Sequence, residues 1–343
     1  MTLYRKIVCF IFCILSCTVS LYSQEKADQF PVLKGPYLGQ KPPGKKAEMF
    51  APGIISTGLH DDAGPGFNYE GTEIFFRVAG RPYGIIGTMK EVGGKWTKPE
   101  LAPFSGNYPD GAATFSHDEK KIYFGSRRPL GGSGEPSRVS NIWVLDRSED
   151  GIGIPRKLGH FINTSDKDEY LASVAASGNL YFQRRTVNEG KLLFETFCSK
   201  FINGELTEPE LINLPVDPEL LTIGGVVDPN ETYMLVTIRG MEGGFGAEDI
   251  YVCFRKDDGT WDDPVNLGAN VNSDNSDWMP RITRDGRYLF FVSWRYEGET
   301  WSEKKRTFDE IIALKKGPMY GWGADIYWVD TKVIDQLKPD YLK

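Results

Sequence analysis

Histidine is nearly absent from this chain: three in 343 residues, at positions 60, 117 and 160. There is no HExxH pattern, no CxxC pair and no three-histidine cluster in the sequence, so a transition-metal site is not expected. Cysteine is as sparse. Of five, Cys9, Cys13 and Cys17 fall near the start, and only Cys198 and Cys253 lie further on. Long apolar runs are also missing. The one candidate, Ile7 to Leu21, is about 15 residues long, short of the roughly 20 that a membrane-spanning helix needs. Positive charge is in deficit, with a net charge of -7. That balance disfavours nucleic acid or an anionic membrane as a partner of the whole surface, while leaving room for a local basic site.

What is present begins with a leader. Arg5 and Lys6 precede the apolar run, and Leu21-Tyr22-Ser23 supplies a small-residue stop ahead of Gln24, so residues 1–23 read as a secretory signal. An alternative is a lipoprotein signal, because Ile14-Leu15-Ser16-Cys17 loosely matches the box before a lipidated cysteine; Cys17 would then tie the protein to the outer membrane. On either reading the chain is exported, with the periplasm as the expected compartment and no transmembrane segment left after processing. Residues 24–46 are rich in Pro, Gly and Lys and are expected to lie extended over the surface. Residues 47–343 are expected to form a single domain.

That domain is written in repeats. A polar turn, a run of β-branched and aromatic residues and an arginine recur as YEGTEIFFRVAGR from Tyr69, HDEKKIYFGSRR from His117, ASGNLYFQRR from Ala176, PNETYMLVTIR from Pro229 and RDGRYLFFVSWR from Arg284. With Gly71, Glu119, Gly178, Glu231 and Gly286 as equivalents, the steps are roughly 48 to 59 residues, the period of a propeller blade. Each repeat parses into four strands. Strand a is small and apolar (AATFS, SVAAS, PRIT), strand b is the aromatic run, strand c reads as EDIYVCFR or ADIYWVDT, and strand d follows a turn and a proline. The prediction is an all-β propeller of five four-stranded blades, with six as the alternative. The last blade lacks its strand d, and AEMFAPGIIS from Ala47 is expected to supply it, closing the ring. Strands b and c of that blade are separated by an insertion, 296–323. Cys198 and Cys253 occupy matching positions of neighbouring repeats, too far apart for a bridge that needs Cα atoms within about 7 Å, so both are expected to be buried and apolar in role.

TFSHDEKKIYF, PRITRDGRYLFF and EDIYV resemble the WD40-like repeats of TolB-type β-propellers, over essentially the whole chain after the leader. GPYLGQKPPG from Gly35 and DIYWVD from Asp325 resemble exported Bacteroidota members of that group. The resemblance is specific for the fold and not for an activity: it implies either a partner-binding propeller or one similar to propeller oligouronide lyases.

Strand order brings the end of every strand b and the start of every strand a to one rim. Arginines gather there: Arg77 or Arg81, Arg127 or Arg128, Arg184 or Arg185, Arg239 and Arg295. Arg81, Arg128, Arg185, Arg239 and Arg295, with Trp278, are the candidate binders of an anionic oligosaccharide, since guanidinium groups grip carboxylates and sulfates with paired hydrogen bonds. The competing role is a salt-bridge ring with acids that start the following strand a: Asp61, Asp110, Glu169 or Asp277. His60, Tyr108 and Tyr170 are the candidate catalytic groups for β-elimination from a uronic acid. An arginine would neutralise the carboxylate, a base would remove the adjacent proton, and a tyrosine or water would protonate the leaving oxygen. No cofactor is called for, though a structural calcium stays open. The expected activity is thus a carbon–oxygen lyase of polysaccharide degradation, and the alternative a non-catalytic propeller that binds a protein or glycan.

Overall fold

A computed structural model of the chain describes residues 30–57, 63–80, 82–130, 133–149, 151–188, 190–295, 307, 310 and 323–342. The leader 1–23 and nearly all of the insertion 296–323 lie outside the described residues.

Five antiparallel sheets follow the five repeats in order. Blade one pairs Gly66–Phe67, Glu73–Val78, Ile85–Val92 and Glu100–Leu101 as strands a to d. Blade two is Asp110–Phe115, Lys121–Ser126, Asn141–Ser148 and Arg156–Lys157; blade three is Asp168–Val174, Leu180–Asn188, Lys191–Ser199 and Glu210–Leu211. Blade four is Leu221–Val227, Tyr233–Arg239, Glu248–Phe254 and Val265–Asn266. Blade five takes Asp277–Ile282, Tyr288–Ser293 and Asp325–Asp330 from the end of the chain and Glu48–Met49 from near its start, with Glu48 opposite Trp328. The fold is therefore a five-bladed propeller closed by the N-terminal strand. Strand b reads as an unbroken apolar run because it is central in its sheet and covered on both faces; all of Tyr288–Ser293 is buried.

The five aligned turn positions share one backbone state. Gly71, Glu119, Gly178, Glu231 and Gly286 all have positive φ, at 67, 59, 87, 59 and 73°. Glycine occupies that region without strain, whereas a glutamate costs about 1–2 kcal/mol. The two glutamates offset the strain with bonds between blades. Glu231 accepts from Ser177 Oγ (2.8 Å), Asn179 Nδ2 (3.0 Å) and Tyr181 Oη (2.6 Å) of blade three. Glu119 accepts from the Tyr69 amide of blade one at 2.6 Å and pairs with Arg147 at 3.4 Å.

The seam between first and last blades holds a dense aromatic cluster of Phe50, Phe67, Phe290 and Trp328, each side chain worth about 1.5–3 kcal/mol on burial. Residues 30–46 depart from the expectation of a surface strap. Tyr37 and Leu38 turn inward with φ of 53 and 59° and are buried in this cluster, the Tyr37 ring lying 5.0 to 6.4 Å from Phe67, Tyr288, Phe290 and Trp328. Backbone bonds fix the turn: the Tyr37 amide donates to Gly71 O at 2.7 Å and Trp96 Nε1 to Gly35 O at 2.8 Å. Cys198 and Cys253 are both free and buried.

Candidate functional site

The arginines at the ends of strands b fall into two groups. Arg128, Arg184 and Arg295 turn inward. Arg295 pairs with Asp277 at 2.7 Å, donates from Nε to Ser293 Oγ at 2.8 Å and from Nη2 to Val271 O, and lies 4.4 Å from the Tyr327 ring centre. Arg128 repeats the arrangement one blade pair away. It pairs with Asp110 (3.2 Å), Ser126 Oγ (3.0 Å) and Phe104 O (2.6 Å) over the Phe124 ring at 4.7 Å. Arg184 pairs with Glu169 at 3.3 Å over Phe197 at 4.5 Å. The acids also cap the loop that enters strand a: Asp110 accepts from Ser105 Oγ, Glu169 from Thr164 and Asp277 from Ser273. These three arginines clamp the entering loop to the blade and are not presented to a ligand. The acid belongs to the arginine's own blade rather than the following one, because strands a and b are direct neighbours, with Asp110 opposite Ser126, Glu169 opposite Arg184 and Asp277 opposite Ser293.

The other arginine of each doubled pair, Arg127 and Arg185, stays half-exposed. Arg127 reaches forward to Asp168 of blade three at 3.4 Å, and Arg185 meets the same carboxylate at 3.0 Å. Arg239 pairs with Glu248 on its neighbouring strand and lines neither cavity described below.

Inside the rim the five a strands surround a funnel. Four of them slip register at the same level, between Asp110 and Ala113, Leu171 and Ser173, Gly224 and Val226, and Trp278 and Arg281. Just past this bulge, matching positions from the five blades form a throat: Gly66, Thr114, Ser173, Val226 and Arg281, which line one small cavity together. Four are small or modest and the fifth is an arginine that packs towards blade one. Blade one makes room for it with Gly64, where a Cβ would lie 2.7 Å from Arg281 Cγ. The Arg281 surface is still partly open to the funnel, but protein surrounds it, and burial pushes its pKa down to about 10.

Above the throat the funnel has two lobes. A basic lobe of about 340 Å³ is lined by Arg77, Arg127 and Arg281 with Ser140 and Asp110. A more apolar lobe of about 220 Å³ is lined by Phe194, Ile223, Trp278 and Pro280 with Gln183. Tyr170, Ala63, Met279 and Arg281 border both. Arg77 is steered by a 2.9 Å bond from Nε to the Asp110 carbonyl. Trp278 sits edge-on to Trp294, with ring centres 6.2 Å apart, and its buried indole Nε1 has no hydrogen-bond partner. Met279 has φ of 50°, a strained value for a side chain-bearing residue, directly at the bulge that aims Trp278 and Arg281 inward. Below the throat, the cavity shrinks to about 40 Å³, and Arg284 closes over it by donating to the Ser116 and His117 carbonyls of blade two.

Of the candidate catalytic groups, the structure places Tyr170 in the funnel. Burial raises its phenol pKa above the ordinary value, with the Asp168 charge adding to the effect and Arg185 and Arg127 opposing it. The phenol is thus held protonated, which leaves it a hydrogen-bond donor and unsuited to the base role. Tyr108 lies on the loop ahead of strand a of blade two and borders neither lobe. His60, Asp61 and Arg81 lie outside the described residues. Exposed His117 lies at the far mouth, and exposed His160 packs against Phe161 with ring centres 4.2 Å apart. Among the described residues no group of three or more His, Cys, Asp or Glu side chains converges on a metal-sized site, and no helix is long and apolar enough to cross a membrane.

Sequence reasoning missed Arg281 as a site residue. The signal was available: in the strand a alignment of AATFS, SVAAS and PRIT, the arginine stands where the other blades carry Thr114 and Ser173.

No protein-family model matches the chain, and no curated protein does. Solved structures similar to it include a TolB from Agrobacterium tumefaciens, 16% identical with a TM-score of 0.44, over 69% of this chain and 71% of that one. The catalytic domain of a GH62 α-L-arabinofuranosidase from Coprinopsis cinerea is 10% identical with a TM-score of 0.45, over 85% and 99% of the two chains. A Podospora anserina α-L-arabinofuranosidase in complex with cellotriose is 9% identical with a TM-score of 0.43, over 87% and 96%. At such identities and scores the likeness says nothing about activity, and the fold stands on the strand pairing itself.

Proposed function

We propose that this protein is an exported propeller that binds an anionic saccharide, uronate or sulfated, in the central funnel. One observation carries the reading: Arg77, Arg127 and Arg281 line the same lobe, on a chain whose net charge is -7, beside a second lobe walled by Trp278 and Phe194. The guanidinium groups suit a carboxylate or sulfate ester, and the aromatic wall suits the apolar face of a pyranose ring. Export rests on the leader residues 1–23.

The direct test is titration of the purified protein with panels of uronate and sulfated oligosaccharides, followed by tryptophan fluorescence and calorimetry. Saturable binding that weakens with rising salt and is lost in Arg281→Met supports the reading. Equal affinity for neutral and anionic sugars would remove it.

A second reading, β-elimination from a uronate, is favoured by Tyr170, a protonated phenol beside guanidinium groups. The arginines would neutralise the substrate carboxylate. A base takes the adjacent proton, the electron pair forms the new carbon–carbon double bond, the carbon–oxygen bond to the leaving sugar breaks, and Tyr170 protonates that oxygen. The sequence offers His60 or a tyrosine as the base. Appearance of ultraviolet absorbance from the conjugated product on incubation with oligouronates, lost in Tyr170→Phe and His60→Ala, distinguishes a lyase from a binder.

A further inference from the structure

The geometry points to a blind pocket that takes the end of an anionic saccharide chain, with the terminal charged group seated on Arg281, and does not accept an internal stretch of polymer. This deepens the binding reading above and rests on it. The central passage of the propeller is interrupted twice. Arg281 narrows the throat between the upper lobes and the lower cavity, lining both, and Val226 lines the apolar lobe and the lower cavity with it. Below it, Arg284 bridges from blade five to the Ser116 and His117 carbonyls of blade two, leaving only about 40 Å³ between the two arginines. No chain can thread through.

The upper lobes, at about 340 and 220 Å³, together fall inside the range of ligand pockets, which run from about 300 to 1,000 Å³. A segment continuing in both directions would have to cross the mouth and could not bring its backbone to the floor, whereas a chain end can enter directly. A guanidinium also stands at the bottom, since Arg281 borders both lobes and the lower cavity. Arg281 is enclosed by protein, where an interaction between charges is screened least. A ligand whose charges were read only along its length would leave Arg281, which borders both lobes and the lower cavity, out of reach.

The test is binding stoichiometry against chain length, with the full chain and defined-length oligogalacturonates, oligomannuronates and oligoglucuronates. Calorimetry and light scattering give the number of protein molecules per saccharide chain. End recognition predicts one per chain at every length, an affinity per chain that stays flat as the chain grows, and retention of binding by the shortest oligomers. Arg281→Ala, with Arg281→Lys as the charge-preserving control, is expected to weaken binding of the shortest oligomers at least tenfold. Several proteins per long chain, or an affinity per chain that climbs with length, overturns end recognition while leaving anionic-saccharide binding in place. No binding to any oligouronate, nor to sulfated oligosaccharides of matching length, overturns both.

Discussion

Replacing Arg295 with methionine separates a clamp from a ligand-binding arginine. Methionine keeps much of the apolar stem over the Tyr327 ring but deletes the charge. Asp277, 0% exposed, would then be a buried carboxylate without its cation. Stranding one partner of a buried ion pair costs about 3–5 kcal/mol. The Ser273 amide and hydroxyl still donate to Asp277 Oδ2, so the expected loss lies at the lower end, about 3 kcal/mol. Arg185→Met is the control. Its side chain is 37% exposed, and Asp168 keeps the Ser140 amide at 2.7 Å and Arg127 at 3.4 Å, so the expected loss is about 0–1 kcal/mol. Equilibrium urea unfolding followed by tryptophan fluorescence reads both. Adding Asp277→Asn to Arg295→Met removes the stranded charge and is expected to recover part of the loss. The reasoning fails if Arg295→Met unfolds with parental stability, or if Arg185→Met costs as much.

Tyr37→Ala empties a site bordered by four aromatic rings at the ring-closing seam and is expected to cost about 3–5 kcal/mol in urea unfolding; a loss under about 1 kcal/mol would mean that residues 30–46 are a loose strap after all. At the blade three–four turn, Glu231→Gly relieves the left-handed strain while Glu231→Ala keeps it, and both lose three accepted bonds. The alanine variant should therefore be the less stable by about 1 kcal/mol, and the reverse order would contradict the strain argument. Stability should also fall in alkali. Burial raises the phenol pKa of Tyr37, Tyr181 and Tyr233, so below about 10 both folded and unfolded phenols are protonated and this contribution is intact. Above it the unfolded phenols ionise first, each removing up to about 1.4 kcal/mol per pH unit until the folded phenols titrate, which melting temperatures through that range would show. A melting temperature unchanged from neutrality into strong alkali would contradict it.

The fold was legible because its determinants are local and repeated. The left-handed turn position recurs five times, and the alignment of Gly71, Glu119, Gly178, Glu231 and Gly286 picked out the residues that adopt it. Even the missing strand could be assigned, since Glu48–Met49 must satisfy the free edge of the last blade. The site was less legible, for two reasons. An arginine that follows an aromatic strand looks the same whether it turns inward, like Arg295, or stays at the rim, like Arg127; only the position of the acid and of the entering loop decides. Arg281 sits inside a strand, where charge is ordinarily misplaced, and its meaning depends on small residues contributed by four other blades. The Tyr37 plug was hidden because composition marks residues 30–46 as loop and says nothing of the seam they enter.

The central claim is that Arg281 serves the ligand while Arg295 serves the fold. Calorimetric titration of an anionic oligosaccharide ligand into the parent and Arg281→Met, alongside their urea unfolding curves, tests it most directly. Loss of a charged hydrogen bond of about 1.5–3 kcal/mol predicts affinity reduced about tenfold to a hundredfold or more. Unfolding should shift by less than the Arg295→Met loss, since Arg281 borders the funnel cavities whereas Arg295 closes an ion pair with a fully buried carboxylate. Unchanged affinity in a folded Arg281→Met protein, or a loss of stability as large as that of Arg295→Met, would contradict the account.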